Sequence, residues 1–159
     1  MAIDNVRQYL KQWNKDKDII EFSTSSATVE LAAQALGTQE GKIAKTISFH
    51  LGEGCVLVVA AGDTKVDNKK FRNCFGCKAK MLTPEEALAF TGYAVGGVCP
   101  FAIERENVKI VLDESLRRFD KVYPACGSSN SAICLTLSEL ETLSRADQWV
   151  DVCKLPTEE

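Results

Sequence analysis

Apolar residues recur along this chain at helical spacing in five places, and each place carries residues that typically start or stop a helix. A first helix is predicted from residues that share one face: Val6, Tyr9, Leu10 and Trp13. Four more are predicted to begin after the capping residues Ser26, Asp67, Thr83 and Thr136. A glutamate follows Thr83 and Thr136 three residues later, so both sites are expected to form capping boxes.

Strand-like segments lie between these helices. Residues 43–51 alternate in polarity, and residues 55–61 form a continuous apolar run of the kind found in central strands. The glycine-containing turn at residues 52–54 predicts a hairpin between them. Further strands are predicted over residues 19–22, 108–112, 121–123, 132–135 and 149–153. The pattern indicates one α/β (α+β) domain over residues 1–159, with a mixed, largely antiparallel sheet flanked by helices.

Lys45 interrupts the apolar face of the strand at residues 43–51. Side chains two apart on a strand share a face, and positions 43, 47, 49 and 51 are all apolar. A buried charge without partners is strongly unfavourable. Lys45 must therefore either reach solvent past the strand end or be held in a pocket, and this segment alone leaves both alternatives open.

Composition narrows the class of protein. The 159 residues are 45% hydrophobic and 26% charged, as in ordinary globular chains. An odd number of cysteines, seven, fits reduced thiols better than a disulfide framework. The first residues carry charges where a signal peptide needs an apolar core, and no apolar run reaches the length of a membrane span. We expect a cytoplasmic protein without a membrane partner.

The net charge of −3 gives no support to a polyanionic partner, but one segment is strongly basic. Within residues 65–80 a single acid, Asp67, opposes six basic residues: Lys65, Lys69, Lys70, Arg72, Lys78 and Lys80. Such a patch can bind a polyanion even in a mildly acidic protein. A solvated helix face has the same composition, so both interpretations stay open here.

Two further segments are unsuited to regular strands. Residues 93–101 contain Gly96, Gly97 and Pro100, and residues 125–131 combine Gly127 with three serines and an asparagine. Paired glycines let the backbone approach a ligand closely, and successive N–H groups can then converge on one oxygen. Each segment by itself is also compatible with a structural turn or loop.

Taken in order, three motifs resemble the YbaK/EbsC family: Ile43-Ala44-Lys45-Thr46, Thr91-Gly92-Tyr93-Ala94-Val95-Gly96-Gly97-Val98-Cys99-Pro100 and Gly127-Ser128-Ser129. Members of this family are stand-alone relatives of the editing domain inserted in bacterial prolyl-tRNA synthetases. The resemblance runs through about residues 20 to 145 and implies a YbaK-like fold. It implies hydrolysis of the ester that joins a wrong amino acid to the terminal ribose of a tRNA, without a metal or other cofactor. The implied partners are the tRNA acceptor end and an aminoacyl-tRNA synthetase.

The resemblance also implies roles for individual residues. Lys45 matches the invariant lysine of the family and is expected at the reacting ester, together with Gly96, Gly97 and Gly127. The residues expected to bind substrate are Phe22, Thr24, Thr46, Val98, Pro100, Ser128 and Ser129. The basic residues between 65 and 80 are expected to bind tRNA. We expect a small aminoacyl group (Ala, Cys, Ser or Thr), and Gly-Gly-Val-Cys-Pro differs from the Gly-Gly-Ile-Ser-Pro of the cysteine-specific branch, which puts cysteine specificity in doubt.

Other functions remain compatible with these residues. A non-catalytic module that binds aminoacyl-tRNA or a synthetase would keep the same pocket. The Cys74-Phe75-Gly76-Cys77 motif has the spacing of a zinc or redox site, but it has no second cysteine pair nearby and His50 is the chain's one histidine. Cys99 and Cys126 flank the expected pocket as alternative nucleophiles. A catalytic triad built on His50 has no local sequence signature.

Overall fold

The computed structural model describes residues 2–104 and 106–156, and within these ranges all five predicted helices are present. The helices are α1 (Ala2–Leu10), α2 (Val29–Leu36), α3 (Asn68–Phe75), α4 (Pro84–Thr91) and α5 (Leu137–Ser144). The strands are β1 (Ile20–Glu21), β2 (Ile43–Leu51), β3 (Gly54–Ala61), β4 (Lys65–Val66), β5 (Val108–Asp113), β6 (Lys121–Pro124), β7 (Ser131–Ala132), β8 (Leu135–Thr136), β9 (Gln148–Val150) and β10 (Cys153–Lys154). None of these helices is long and apolar enough to cross a membrane.

A six-stranded sheet with the order β8-β6-β2-β3-β5-β9 forms the centre of the fold. The β2–β3 hairpin is antiparallel, while β6 lies parallel to β2 and β5 lies parallel to β3. Two smaller sheets pair β1 with β7 and β4 with β10. The predicted mixed sheet is confirmed, and four of the seven strand pairings in the described ranges are antiparallel.

The core forms on both faces of β3, as its continuous apolar sequence predicts. Residues 55–61 are at most 1% exposed. One face packs against α1 and α5 through residues such as Leu10 and Leu140, and α4 extends this layer through Ala87. The other face packs against α3 through Phe71. Helices on both faces therefore enclose the strand, and burial of its apolar side chains stabilises the fold.

Three predicted strands are shorter or divided in the structure. The 19–22 segment is reduced to β1, which pairs with β7. The 132–135 segment divides into β7 and β8, because the Ile133 N–H donates to the Pro124 carbonyl oxygen between them. The 149–153 segment divides into β9 and β10, because the Val152 N–H donates to the carboxylate of Asp113 at 2.9 Å. In each case, contacts with distant residues interrupt a locally strand-like sequence.

The predicted cap of α2 is also wrong. Thr28, not Ser26, is the N-cap, since its hydroxyl accepts the Leu31 N–H at 3.2 Å. Ser26 instead donates its backbone N–H to the Ser129 carbonyl oxygen at 2.7 Å. Both residue types cap helices equally well in sequence, so the partner on the 125–130 loop decides between them.

One edge of β2 is only partly paired. Ile43 and Ala44 pair with β6, and pairing resumes where the Ser48 carbonyl oxygen accepts the Leu82 N–H at 3.1 Å. Residues 45–47 have no strand partner on this edge within the described ranges. We call this interval the β2 gap.

Two loops come into close contact beside the β2 gap: the glycine loop (residues 94–100) and the serine loop (residues 125–130). A Cβ atom added at Gly97 would lie 2.7 Å from the backbone carbon of Gly127. Gly96 has a φ of +88°, and a Cβ there would lie 2.9 Å from the side chain of Ala27. The glycines are therefore required for the close approach of these loops.

We predict that Gly97→Ala destabilises the protein by an amount at the upper end of about 1–3 kcal/mol, because the added methyl group meets rigid backbone. Gly37→Ala is the matched control, since Gly37 has a φ of +66° but open space around its Cβ position. The control should cost only the strain of a left-handed backbone, about 1 kcal/mol. Urea unfolding measures both, and an equal or smaller loss in Gly97→Ala would contradict the loop contact.

Candidate functional site

A cavity of about 360 Å³ lies against the β2 gap. Residues 43–48 of β2 form one side of it. The remaining walls come from the starts of α2 and α4, the glycine loop and the end of β6. This volume is at the lower end of the range of about 300–1,000 Å³ that is typical of ligand pockets. The unpaired strand edge therefore opens into a space in which a small ligand can be held.

Lys45 lines this cavity, and its ammonium group is held by backbone. The Nζ atom donates to the carbonyl oxygens of Gly62, at 3.4 Å, and Thr64. Burial lowers the pKa of Lys45, while the nearby carboxylates of Asp63 and Glu30 act in the opposite direction. An ammonium has three N–H donors, so these two carbonyl oxygens leave one donor for a ligand. The lysine thus has polar partners despite its place on an apolar face.

Thr46 projects from the opposite face of β2. It lies across from Val59 and shares its face with Ala44 and Ser48, and all three of these β2 residues line the cavity. Among the described residues, the Thr46 Oγ1 atom is the sole buried side-chain nitrogen or oxygen without a hydrogen-bond partner. The β2 gap therefore places a cationic side chain and an unsatisfied hydroxyl on consecutive residues.

Two helices begin in the cavity wall. Thr28 and Val29 at the start of α2 line the cavity, as do Thr83 and Pro84 at the start of α4. Helix N-termini carry partial positive charge, but here each is capped by its threonine hydroxyl, α4 begins with Pro84, and both first turns carry acidic residues. Lys45 is the one charged residue among the described residues that line the cavity, so it is the main group that favours an oxygen carrying negative charge.

The glycine loop reaches the cavity through Gly96 and Val98, but Gly97 and Pro100 do not line it. The Gly97 N–H donates to the Ala94 carbonyl oxygen at 3.0 Å, inside the turn of the loop itself. The Gly97 amide is thus used within its own loop in this conformation, and its expected role at a reacting ester stays a prediction. Gly97 and Gly127 also allow the two loops to pack together behind the cavity wall.

The serine loop lines the cavity through Ala125, and its serines support the wall from behind. The Ser128 hydroxyl contacts Asn130 and Ser131 at 2.9 and 2.7 Å, so its hydrogen bonds stay with its immediate chain neighbours. The Ser129 carbonyl oxygen accepts from both the backbone and the hydroxyl of Ser26. Ser128 and Ser129 therefore fix the position of the 26–29 segment, which forms the wall itself.

The cavity includes one rim residue outside the three motifs, Met81, and a second, Val95, to which no role was assigned. It leaves out seven expected residues: Phe22, Thr24, Gly97, Pro100, Gly127, Ser128 and Ser129. Met81 and Val95 are 63% and 66% exposed, so they form an apolar rim. An exposed apolar residue has the same sequence signal as a core residue, and hence no local pattern could have identified this rim.

The basic segment lies mostly at the surface. Its exposed members are Lys65, Lys69, Arg72, Lys78 and Lys80. Lys70 is engaged in an ion pair with Asp151 at 3.2 Å and is therefore less available to an external anion than the sequence suggests. The positive charge of Lys65 lowers the pKa of Lys45 further, but no residue of the basic segment lines the cavity among the described residues.

The alternative catalytic groups have unfavourable environments. Cys99 and Cys126 are 0% exposed, and burial raises the pKa of Cys99 to about 12 and that of Cys126 well above its ordinary value. Neither thiol is therefore an available thiolate nucleophile. Across the described ranges, including the Cys74-Phe75-Gly76-Cys77 motif, no three or more metal-ligating side chains come together. The His50 imidazole lies 3.3 Å from Glu86, a residue of the α4 capping box.

This chain is similar to several known proteins in sequence and in structure. The protein YwhH of Bacillus subtilis strain 168, which is described as uncharacterized, is 53% identical over 97% of this chain and 98% of its own length. The proline–tRNA ligase of Thermotoga maritima is 30% identical over 69% of this chain, which spans 19% of the ligase. A crystal structure described as that of a candidate trans-editing enzyme for prolyl-tRNA synthetase superposes with a TM-score of 0.86 at 29% identity, and covers 96% of this chain and 97% of its own.

The model of the aminoacyl-tRNA editing domain matches residues 24–143. This interval contains the β2 gap, Lys45, both loops and the walls of the cavity. The chain therefore belongs to the aminoacyl-tRNA editing domain family, as its three motifs predicted.

Proposed function

We propose that this protein is a metal-independent aminoacyl-tRNA deacylase of the cytoplasm, in which residues 1–159 act as one editing domain in trans. Its substrate is a mischarged tRNA that carries a small amino acid of the Ala, Cys, Ser or Thr class. The observation that carries the proposal is Lys45, which lines a half-open cavity and whose ammonium is held by two backbone carbonyl oxygens with one donor to spare. Family membership supports the same reaction class.

The chemistry needs positioning more than a strong base. An aminoacyl ester is already activated, so a water molecule can attack its carbonyl carbon once the ester is held in place. The carbonyl oxygen then develops negative charge, which the remaining N–H of Lys45 stabilises. The bond between the carbonyl carbon and the ribose oxygen breaks, and the proton from the water ends on that oxygen. No covalent intermediate with the protein is required.

The volume of the cavity limits the amino acid. The space of about 360 Å³ must hold the terminal ribose as well as the aminoacyl group, so little room remains for the side chain. The apolar rim of Met81 and Val95 suits the base of the terminal adenosine. Pockets distinguish small amino acids poorly, which is why separate editing of their esters is needed.

The proposed partners are the tRNA acceptor end and an aminoacyl-tRNA synthetase. They are inferred from the exposed basic residues and from a structurally similar protein. Exposed lysines and an arginine of the basic segment can contact the phosphates of a tRNA acceptor end. A structurally similar protein is described as a candidate trans-editing enzyme for prolyl-tRNA synthetase, and this supports prolyl-tRNA as the carrier and a synthetase as a further partner.

Lys45→Met should lower the kcat for deacylation of mischarged tRNA by about a hundredfold or more, because it removes a preorganised charge from the reacting centre. The methionine keeps the length of the side chain, and circular dichroism and thermal unfolding check that the fold survives. Near-normal turnover in the folded variant would contradict the assigned role. Tight binding of aminoacyl-tRNA by the wild-type protein without any turnover would instead identify a non-catalytic binding module.

Charge reversal at Lys69 and Arg72 should raise the KM for aminoacyl-tRNA much more than it lowers kcat, since phosphate contacts contribute to binding rather than to chemistry. The salt dependence of kcat/KM should weaken in parallel. Reversal of the exposed Lys11 and Lys17 gives a control with the same change in net charge outside this segment. If both double variants behave alike, the basic segment is only a solvated surface.

Alanyl-tRNA should be cleaved much faster than phenylalanyl-tRNA, because the cavity excludes large side chains. Among alanine, serine, cysteine and threonine, rates should overlap, since a single methylene is worth only about 1–3 kcal/mol. Single-turnover deacylation of tRNAs charged with each amino acid measures the order. Comparable rates for alanyl and phenylalanyl esters would show that size is not the basis of selection.

A further inference from the structure

The β2 gap turns one residue's backbone groups toward the cavity. On this edge the Ser48 carbonyl oxygen accepts the Leu82 N–H, and the His50 N–H donates to the Lys80 carbonyl oxygen at 2.8 Å. Backbone groups of alternate residues in an antiparallel strand point to the same edge, so Thr46 shares this direction. Its N–H and C=O lie in the interval where the edge has no strand partner. Thr46 is therefore the position at which a ligand can complete the ladder.

The side chain of the same residue carries a second anomaly. Thr46 Oγ1 is buried and has no hydrogen-bond partner in the part of the chain that the structure describes. Valine has nearly the same shape, favours strands and would avoid the cost of an unsatisfied buried hydroxyl. A hydroxyl here gives no advantage to the free protein, but it would give one to a complex in which a ligand supplies the missing partner.

We propose that Thr46 binds the α-ammonium group of the aminoacyl ester, an inference that rests on the proposed deacylase function. The ammonium donates to the Thr46 carbonyl oxygen and to Oγ1, and the Thr46 N–H donates to the ester carbonyl oxygen. The residue as a whole is half-buried and lines the cavity. The contact requires a rotation of about 120° about the Cα–Cβ bond, which moves Oγ1 into the position of the methyl group or of the β-hydrogen.

This contact assigns a second selectivity to the site. The strand edge recognises the main chain of the amino acid, which is common to all aminoacyl esters, while the volume of the cavity selects the side chain. An N-acylated aminoacyl-tRNA has lost the positive charge and two of the donors that Thr46 would accept. The protein should therefore cleave esters with a free α-amino group and spare those with a blocked one.

The kinetic test combines substitutions at Thr46 with N-acetylation of the substrate. Wild-type protein, Thr46→Val and Thr46→Ser are compared on alanyl-tRNA and on N-acetylalanyl-tRNA by their kcat/KM. We expect N-acetylation to lower the wild-type value by about a hundredfold, and Thr46→Val to lower the alanyl value by about tenfold, as for hydrogen bonds to a charged group. On the acetylated substrate Thr46→Val should have little effect, because the contact is already absent. Thr46→Ser, which keeps the hydroxyl, should remain within about threefold of wild type on both.

The stability test needs no substrate. Thr46→Val should raise Tm by about 2–4 °C, because it removes an unsatisfied buried hydroxyl. Thr64→Val is the contrasting control, since the buried Thr64 hydroxyl donates to the Ala61 carbonyl oxygen at 2.7 Å and its loss should lower Tm. A lower Tm in Thr46→Val would show that the hydroxyl has a partner in the free protein and would overturn the inference.

The remaining outcomes separate this inference from the proposed function. If wild-type protein cleaves alanyl-tRNA but Thr46→Val loses the same factor on both substrates, the deacylase function stands and the ammonium contact does not. If the wild type cleaves free and acetylated esters equally well, the ammonium contact is excluded and the deacylase function still stands. If the wild type neither binds nor cleaves either ester, both proposals fail together.

Discussion

The interruption of strand pairing along β2 is the constraint on which the rest of the site depends. β6 pairs with the first two residues of β2 and ends at Pro124, whose carbonyl oxygen accepts the Ile133 N–H on its other side. The chain around Leu82 restores pairing only at Ser48. The unpaired interval would be an unfavourable exposed edge in an ordinary sheet. Here the helix starts, the glycine loop and the end of β6 surround it, so the interval becomes one side of a half-open cavity.

The position of Lys45 follows from this arrangement. Its side chain lies on the α3 face of β2, where the neighbouring positions are apolar, and burial of its charge is offset by the carbonyl oxygens of Gly62 and Thr64. These carbonyl groups are themselves fixed. Thr64 is bonded through its hydroxyl to the end of β3, and Asp63 between them forms a two-fold ion pair with Arg118 at 2.6 and 3.1 Å. A charge held in this way needs little reorganisation when a ligand binds, which is the property that electrostatic stabilisation requires.

The glycines of the two loops matter mainly because they have no side chain, which lets the loops pack closely. A side chain at Gly97 would overlap the backbone of Gly127, so the loops could not form one continuous wall behind the 26–29 segment. The amide of Gly97 is used within its own turn, and the Ser129 carbonyl oxygen is used to hold Ser26. The same residues that suggest an oxyanion site in sequence therefore provide packing in the structure. Sequence alone cannot separate these uses, because both require glycine.

The sequence by itself determined the elements whose signals are local. Helices α4 and α5, with their capping boxes, depend on residues three apart, and the central position of β3 depends on an uninterrupted apolar run. The anomalous phase of Lys45 and the order of the three motifs were sufficient to identify the family. Only the tertiary structure decided the cap of α2, the division of the last strands, the engagement of Lys70 by Asp151 and the exclusion of Phe22 and Thr24 from the cavity. It also decided that Thr46 lies unpaired in the β2 gap. Each of these depends on which distant segments meet, and periodicity along a chain carries no information about partners remote in sequence.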